Sequence, residues 1–215
     1  MHSFIVPLTE RFLQVLIKIS LFGFLRKCLF KHKWSNSYAF VDMWVLGNFA
    51  LSFVAVYIYA LIPYIWIRWL FIGFGLLRVF ELVVYQLNVL VVDQFNNPDY
   101  AVGGYRRLLI LSLINYLEVL AWFTFFYLNW ASSFKDDYSV LASGTGAIYY
   151  SLVTMSTLGY GEVTPLHGST RALVTMQTII GMFLIILIIS RVMSYLPKPR
   201  SLDKNEIMSE KTNQP

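Results

Sequence analysis

Residues 156–162 read STLGYGE and interrupt the apolar C-terminal half of the sequence. Glycine is a poor helix former, so a tyrosine with one glycine on each side predicts a break between helices. Glycine also adopts positive φ without steric cost. Glycines that alternate with other residues therefore allow successive backbone carbonyls to face one side. A row of carbonyls arranged in this way can replace the water shell of a dehydrated cation.

The composition around this break is that of an integral membrane protein. The 215 residues are 57% hydrophobic and 13% charged, whereas an ordinary soluble domain is about 45–50% apolar and about 25% charged. The formal net charge is +5, but no basic run is longer than two residues. We therefore expect a lipid bilayer as a partner and no binding of nucleic acid.

Four apolar runs are each long enough to cross the hydrocarbon core, which takes about 20 residues. They cover residues 44–62, 69–92, 108–130 and 171–195. None of them alternates with period two, so none is predicted to be a strand. The predicted fold is an all-α integral membrane protein with four transmembrane helices.

The N-terminal region has a different pattern. Residues 11–30 place polar side chains on one narrow face of a helix, at Arg11, Gln14, Lys18 and Arg26, with apolar residues around the rest. This pattern predicts an amphipathic helix that lies in the cytoplasmic interface of the membrane. A fifth span that buries Lys18 is the alternative.

The distribution of lysine and arginine predicts the orientation. With the N-terminus in the cytoplasm and four alternating spans, only three basic residues face outward, and two lie within spans. The other twelve are cytoplasmic, as the positive-inside rule requires. The outward residues are Arg68, Lys135 and Arg171; the cytoplasmic ones are Arg11, Lys18, Arg26, Lys27, Lys31, Lys33, Arg106, Arg107, Lys198, Arg200, Lys204 and Lys211. The protein is expected to be multi-pass in a plasma or inner membrane, with both termini in the cytoplasm.

The glycine-rich break must then enter the membrane from outside. Residues 145–156 are apolar but too short to span, so they predict a re-entrant half-helix. The negative end of its dipole would favour a cation just beyond its C-terminus. Irregular backbone at membrane depth is tolerated only where protein or a water-filled cavity surrounds it.

The order of these segments resembles the pore domain of potassium channels, above all the bacterial two-helix channels. The segment TLGYG at 157–161 resembles their TVGYG filter. The likeness covers residues 108–196, with an outer helix, a turret at 131–143, the half-helix, the filter and an inner helix. An acidic residue, a proline and a glycine also match in position, as Glu162, Pro165 and Gly181.

The resemblance implies a role for each filter residue. Potassium ions would bind at Thr157, Leu158, Gly159 and Tyr160, and Gly161 would allow the outer bend. Glu162 would lie at the outer mouth, and Gly181 would be the gating hinge, with a helix-packing glycine as the equal alternative. Potassium is the permeant ligand, and no cofactor is implied. The chain departs from the common pattern at Leu158, Glu162, Tyr149, Tyr150 and Val153.

Three charged residues lie within the predicted spans. Arg78 and Glu81 are three residues apart on one helix and can meet, and Glu118 lies at a similar depth in the third span. Intramembrane charges are costly and usually paired, so we predict a structural cluster. Arginines at every third position, which a voltage sensor needs, are absent.

These observations predict four regions. They are a cytoplasmic segment at 1–43, a two-helix transmembrane unit at 44–107, a pore domain at 108–196 and a cytoplasmic tail at 197–215.

With one filter per chain, a homotetramer that conducts potassium passively is expected. The alternatives are a weakly selective cation channel, a non-conducting modulatory subunit and a potassium-uptake transporter subunit. No HExxH, GxSxG or Walker sequence is present, so an enzyme is not expected.

Overall fold

The computed structural model of the protein describes residues 38–90 and 104–195, together with positions 8, 15 and 16. Over the two long segments the chain forms α1 (Tyr38–Ile58), α2 (Ile65–Asn88), α3 (Tyr105–Asn129), α4 (Gly144–Met155) and α5 (Gly168–Tyr195). Short 3-10 turns lie at Tyr59–Leu61, Ala131–Ser133 and Val140–Ala142. Strands β1 (Phe134–Asp136) and β2 (Val163–Pro165) form an antiparallel pair.

Three of the described helices are long and apolar enough to cross a membrane. The spans are Ala39–Leu61, Arg106–Asn129 and Gly168–Met193. A helical, multi-pass membrane protein is therefore confirmed. Helix α2 is 24 residues long but is not among the three, so the count of four spans stays a prediction. The predicted interfacial helix over 11–30 falls outside the described residues except for positions 15 and 16, and so does the tail at 197–215.

Helix α3 is the centre of the molecule. Its second half, from Val119 to Leu128, is buried on every side, and Trp122, Phe123 and Tyr127 have no exposed surface. A helix that is apolar all round is one that packs on all faces. Helices α1 and α2, which we call the accessory pair, cover one side of α3, while α4 and α5 cover the other. The core is thus continuous from the accessory pair to the re-entrant segment.

A glycine sets the closest approach between α2 and α3. A Cβ atom built on Gly75 would lie 2.5 Å from Cε3 of Trp122 and 3.1 Å from Cε1 of Phe126. Both rings belong to the buried half of α3, so they have little room to move. Gly73, on the same helix, has nothing within 4 Å of the corresponding position. Of the two glycines in α2, only Gly75 is therefore required for packing against α3.

Buried charges join α2 to α3 near the middle of both helices. Arg78 donates to both carboxylate oxygens of Glu118, from Nε at 2.8 Å and from Nη2 at 3.1 Å. Its Nη1 donates to Glu81 at 2.5 Å. The Arg78 guanidinium also lies 5.8 Å from the centre of the Trp44 ring on α1. The structure thus brings together the three intramembrane charges that the sequence predicts to cluster.

Further polar contacts fix both ends of the accessory pair on α3. At the end where α3 begins, Arg107 donates to Asp42 on α1 at 2.6 Å. At the opposite end, the Tyr59 hydroxyl donates to the carbonyl of Leu128 at 2.9 Å. The accessory pair is therefore attached along the whole length of α3 and not at a single point.

The substitution Gly75→Ala should destabilise the protein. Overpacking against two buried rings costs about 1–3 kcal/mol, so the apparent melting temperature in detergent should fall, as followed by tryptophan fluorescence. Gly73→Ala is the matched control and should leave it unchanged or slightly raised, because alanine favours helix. Equal melting temperatures for the two variants would contradict the proposed close approach.

The substitution Arg78→Leu should be more damaging, because it leaves two carboxylates without their cation. Loss of one partner from a buried ion pair costs about 3–5 kcal/mol. Adding Glu118→Gln should restore part of the melting temperature and of the yield of assembled protein. Arg106→Leu, at an exposed position on α3, is the control. If Arg78→Leu melts like this control, the cluster does not stabilise the fold.

Candidate functional site

Helix α4 dips towards the core and ends at the glycine-rich break. Its N-cap is Ser143, whose hydroxyl accepts a hydrogen bond from the backbone N–H of Gly146 at 3.1 Å, as N-cap serines do. The predicted half-helix at 145–156 is found at Gly144–Met155. Beyond its end, the N–H of Thr157 bonds to the carbonyl of Thr154, and the N–H of Leu158 bonds to that of Val153. The break is thus attached directly to the last turn of the helix.

The backbone of residues 157–161, which we call the filter segment, alternates in handedness. Positive φ occurs at Thr157 (61°), Gly159 (57°) and Gly161 (82°), and not at Leu158 or Tyr160. In a backbone that alternates between right- and left-handed conformations, successive N–H groups align on one side. The carbonyls then align on the other side, which is the arrangement that the glycine spacing predicts.

Thr157 is the position that glycine spacing alone does not predict. A β-branched residue with positive φ is a genuine outlier in protein backbones, and the hydrogen bond to Thr154 contributes to holding it there. Within the described part of the chain, no hydrogen bond ends on a carbonyl of residues 157–161. The segment therefore presents a row of carbonyl oxygens without protein donors.

Aromatic and acidic side chains surround the outer end of the filter segment. The Tyr160 ring stacks on Tyr149 of α4, with centroids 6.5 Å apart and planes 9° apart. The Tyr149 hydroxyl donates to Glu162 at 3.4 Å. Partial desolvation and the Glu162 carboxylate raise the pKa of Tyr149 above its ordinary value of 10.0, so the hydroxyl remains a donor at neutral pH. The Tyr160 side chain thus packs against α4.

A cavity of about 300 Å³ lies between the filter segment, α4 and α5. Residues from all three elements line it, among them Val153, Thr157, Tyr160 and Thr178. Val153 contributes an apolar side chain to this cavity. Glu162 also lines it and accepts its hydrogen bond from Tyr149.

The two short strands were not predicted. Strand β1 comes from the turret and β2 follows the filter segment, with Lys135 opposite Thr164 in the register. The turret itself is held by Asp136, whose carboxylate accepts hydrogen bonds from the N–H groups of Val140 and Leu141 at 2.8 and 2.7 Å. The strand pair ties the two sides of the outer mouth to each other.

A buried polar network behind α4 was also missed from the sequence. Tyr127 of α3 donates to Oε1 of Gln177 on α5 at 2.5 Å. The amide nitrogen of Gln177 donates to the carbonyl and to Oγ of Ser151, at 3.0 and 2.7 Å, and Ser151 Oγ donates to the carbonyl of Leu120. All three side chains are fully buried. The signal in the sequence is a glutamine within the most apolar run. A buried glutamine is found only where its amide group forms hydrogen bonds.

Gly181 lies where α5 passes the end of α4. A Cβ atom there would lie 2.7 Å from both the carbonyl oxygen and Cγ of Met155. Helix α5 is continuous from Gly168 to Tyr195 through this position. The geometry gives Gly181 a packing role next to the filter segment, and a hinge at this residue stays a prediction.

The intramembrane charges lie apart from the filter segment. Arg78, Glu81 and Glu118 occupy the contact between α2 and α3, with side-chain exposures of 3%, 7% and 0%. The filter segment and Glu162 lie on the other side of α3, with α4 and α5. The cluster therefore belongs to the scaffold, and the candidate cation site consists of residues 157–162 alone.

Comparison with known proteins agrees with this geometry. The family model described as an ion channel matches residues 114–198, a range that contains most of α3, all of α4, the filter segment and α5. A two pore potassium channel from rice (Oryza sativa subsp. japonica) is 34% identical over 62 residues. That alignment covers 29% of this chain and 16% of the rice protein. No solved structure gives a match.

The chain thus matches only about one sixth of the length of its rice relative. Both comparisons agree with the family that the filter motif indicates. Residues 114–198 are thus similar to ion-channel domains, and the rice relative supports a likeness to the potassium-channel pore domain.

Proposed function

We propose that this protein is a potassium-selective channel that conducts ions passively through a pore built from four copies of the chain. The observation that carries the proposal is the filter segment, where positive φ at Thr157, Gly159 and Gly161 alternates with ordinary backbone. Carbonyl oxygens without protein donors at the end of a re-entrant helix suit a dehydrated monovalent cation.

The number of copies follows from the geometry of a coordination ring. One filter segment supplies a single row of oxygens, whereas potassium filters of the TVGYG type combine four such loops. The rice relative is named a two pore channel, but this sequence carries one TLGYG segment, so four identical chains are proposed. Closed rotational symmetry is the usual form of such assemblies.

The exposed surface of the pore domain supports this assembly. Leu158 and Tyr160 are 60% and 63% exposed in the single chain, which is unusual for large apolar residues beside a buried helix. One face of α5 is also exposed and apolar, at Ile179, Met182, Ile186, Ile189 and Met193. Neighbouring copies would cover the filter side chains and part of this face, and the remainder would line the inner pore.

Each residue of the site has a proposed part. The hydroxyl and carbonyl of Thr157 form the innermost ion site, and the carbonyls of Leu158, Gly159 and Tyr160 form the sites above it. Gly161 turns the chain away at the outer end. Four copies of Glu162 raise the local cation concentration at the outer mouth. We place the protein in a plasma or inner membrane with both termini in the cytoplasm, because the basic residues favour that side.

Selectivity tests the proposal. In bilayers with mixtures of potassium and sodium on both sides, at opposite concentration ratios, the wild-type current should reverse close to the potassium equilibrium potential. Gly159→Ala should move the reversal potential towards zero or abolish the current, because alanine resists the φ of 57° at that position. A cation current without preference for potassium would favour the weakly selective alternative, and no current at all would favour a modulatory subunit.

Gly168→Ala is the matched control for this experiment. A Cβ atom meets nothing within 4 Å at either glycine, but only Gly159 has positive φ. The two variants therefore separate backbone conformation from steric space. Unchanged selectivity in Gly159→Ala would show that the filter segment does not select the ion.

The outer mouth provides a second test, in which charge is separated from hydrogen bonding. Glu162→Gln should reduce inward current more at about 0.01 M salt, where charges act over about 30 Å, than at about 1 M salt, where they act over about 3 Å. Tyr149→Phe keeps the charge and removes the hydrogen bond to Glu162. It should shorten open bursts and leave the unit conductance unchanged. If neither variant differs from wild type at any salt concentration, Glu162 is an ordinary solvated acid.

A further inference from the structure

The side chain of Arg191 joins the inner helix to two other helices. It lies one turn before the C-terminal end of α5, and its Nη2 donates to Oε1 of Gln86 on α2 at 2.7 Å. Its Nη1 donates to the hydroxyl of Ser112 on α3, and this hydroxyl in turn donates to the carbonyl of Leu108 at 2.6 Å. Gln86 and Ser112 are each 2% exposed. A cation on α5 is thus held by buried groups of the accessory pair and of α3.

Arg191 continues the face of α5 that packs on the core. Gly181, Leu184 and Leu187 are buried on this face at intervals of three residues, and Arg191 follows one turn later. After Leu187 no described residue of α5 is buried. The last turns of the helix therefore rely on polar contacts without the buried apolar side chains of the earlier turns.

The earlier turns of α5 are fixed much more firmly. Gln177 is bonded to Tyr127 and Ser151 within the core, and Gly181 lies against the backbone of Met155. A displacement of α5 is therefore cheapest at the end that carries Arg191. The opposite face at that end is apolar and exposed at Ile189 and Met193, and in the proposed tetramer it is directed towards the pore.

We propose that Arg191 is a latch that holds the cytoplasmic end of α5 outward against α3 and the accessory pair. The inference rests on the proposed tetrameric pore. The latch opposes convergence of the four inner helices, so it favours the conducting state. Through Gln86, the accessory pair then regulates the opening of a pore to which it contributes no filter residue.

The position of Arg191 makes the contact reversible. A long arginine near a helix end can extend its guanidinium into water when its partners are lost. Arg78 lies at mid-membrane between two carboxylates and has no such alternative. The same residue type is thus a permanent part of the scaffold at Arg78 and a releasable contact at Arg191.

Single-channel recording of the full-length protein in bilayers tests the latch. Arg191→Met keeps much of the side-chain length and removes the charge, and it should lower the ratio of open to closed time about tenfold, since hydrogen bonds to charged groups are worth about that factor. Gln86→Leu should lower the ratio less. Adding Gln86→Leu to Arg191→Met should have no further effect, because both act through one contact. Unit conductance and reversal potential should stay unchanged.

The control is Asp42→Asn, which removes a tether between α1 and α3 without touching α5. It should leave the ratio of open to closed time unchanged. An unchanged or raised ratio in Arg191→Met would overturn the proposal, as would an equal effect of Asp42→Asn. If Arg191→Met does not assemble, Gln86→Leu alone decides, and an unchanged ratio in that variant overturns the proposal.

A distance measurement tests the latch independently of ion conduction. A spin label on Met193→Cys, in a chain with Cys28→Ser, reports the distance between copies in the purified assembly. This distance should shorten in Arg191→Met and stay unchanged in Asp42→Asn. It can be measured even if the wild type conducts no potassium, so failure of the latch is distinguished from failure of the proposed function. Equal distances in wild type and Arg191→Met would contradict the latch.

Discussion

Backbone carbonyls without hydrogen-bond donors at membrane depth are the constraint on which the rest of this structure depends. Lipid offers no compensation for them, so such a backbone must be surrounded by protein or water, or must bind a cation. In residues 157–161 the alternation of φ keeps the carbonyls from pairing with neighbouring N–H groups. The scaffold has to hold this costly conformation in place, and in the proposed channel a bound ion would offset its cost.

The scaffold holds the filter segment from three directions. On the inner side, the N–H groups of Thr157 and Leu158 are bonded to the last turn of α4. On the outer side, the strand pair joins the turret to the residues that follow the filter. From behind, Gln177 and Gly181 position α5 against α4, the first by hydrogen bonds and the second by close contact. Each contact comes from a different element, so no single loop determines the geometry.

The accessory pair stabilises the same scaffold from a greater distance. Its buried arginine, Arg78, is neutralised by Glu118 on α3, the helix that also bears Tyr127 of the network behind α4. Helix α3 is therefore shared by two assemblies of side chains, one charged and one neutral. The family match begins at residue 114, after the accessory pair. The pair thus lies outside the matched range and packs on it through α3.

The sequence predicts the helices and the filter segment well, because apolar length and glycine spacing are local signals. It is less accurate at helix ends: the first apolar run begins at residue 44, whereas α1 begins at Tyr38. Apolar runs mark the hydrocarbon, but a helix continues into polar surroundings as long as its side chains find partners, as Asp42 does in Arg107. The pairing of Arg78 with Glu118 was predictable, since charges at similar depth have few other partners.

Non-local contacts account for what the sequence did not predict. The strands depend on pairing across the filter, and the Gln177 network depends on three helices meeting, so neither has a periodic signature. Positive φ at Thr157 is imposed by the last turn of α4, against the local preference of threonine. The role of Gly181 could not be decided from its spacing alone, because a hinge and a close contact both require glycine. The position of Met155 shows the close contact, and the hinge stays a prediction.

The most direct test of cation binding by the filter segment is to locate the bound ions. Crystals grown with rubidium or thallium in place of potassium allow the bound cations to be found by anomalous scattering. We expect a column of peaks on a fourfold axis, level with the carbonyls of Thr157, Leu158, Gly159 and Tyr160. Peaks found only at carboxylates away from such an axis, or an assembly without fourfold symmetry, would contradict this expectation.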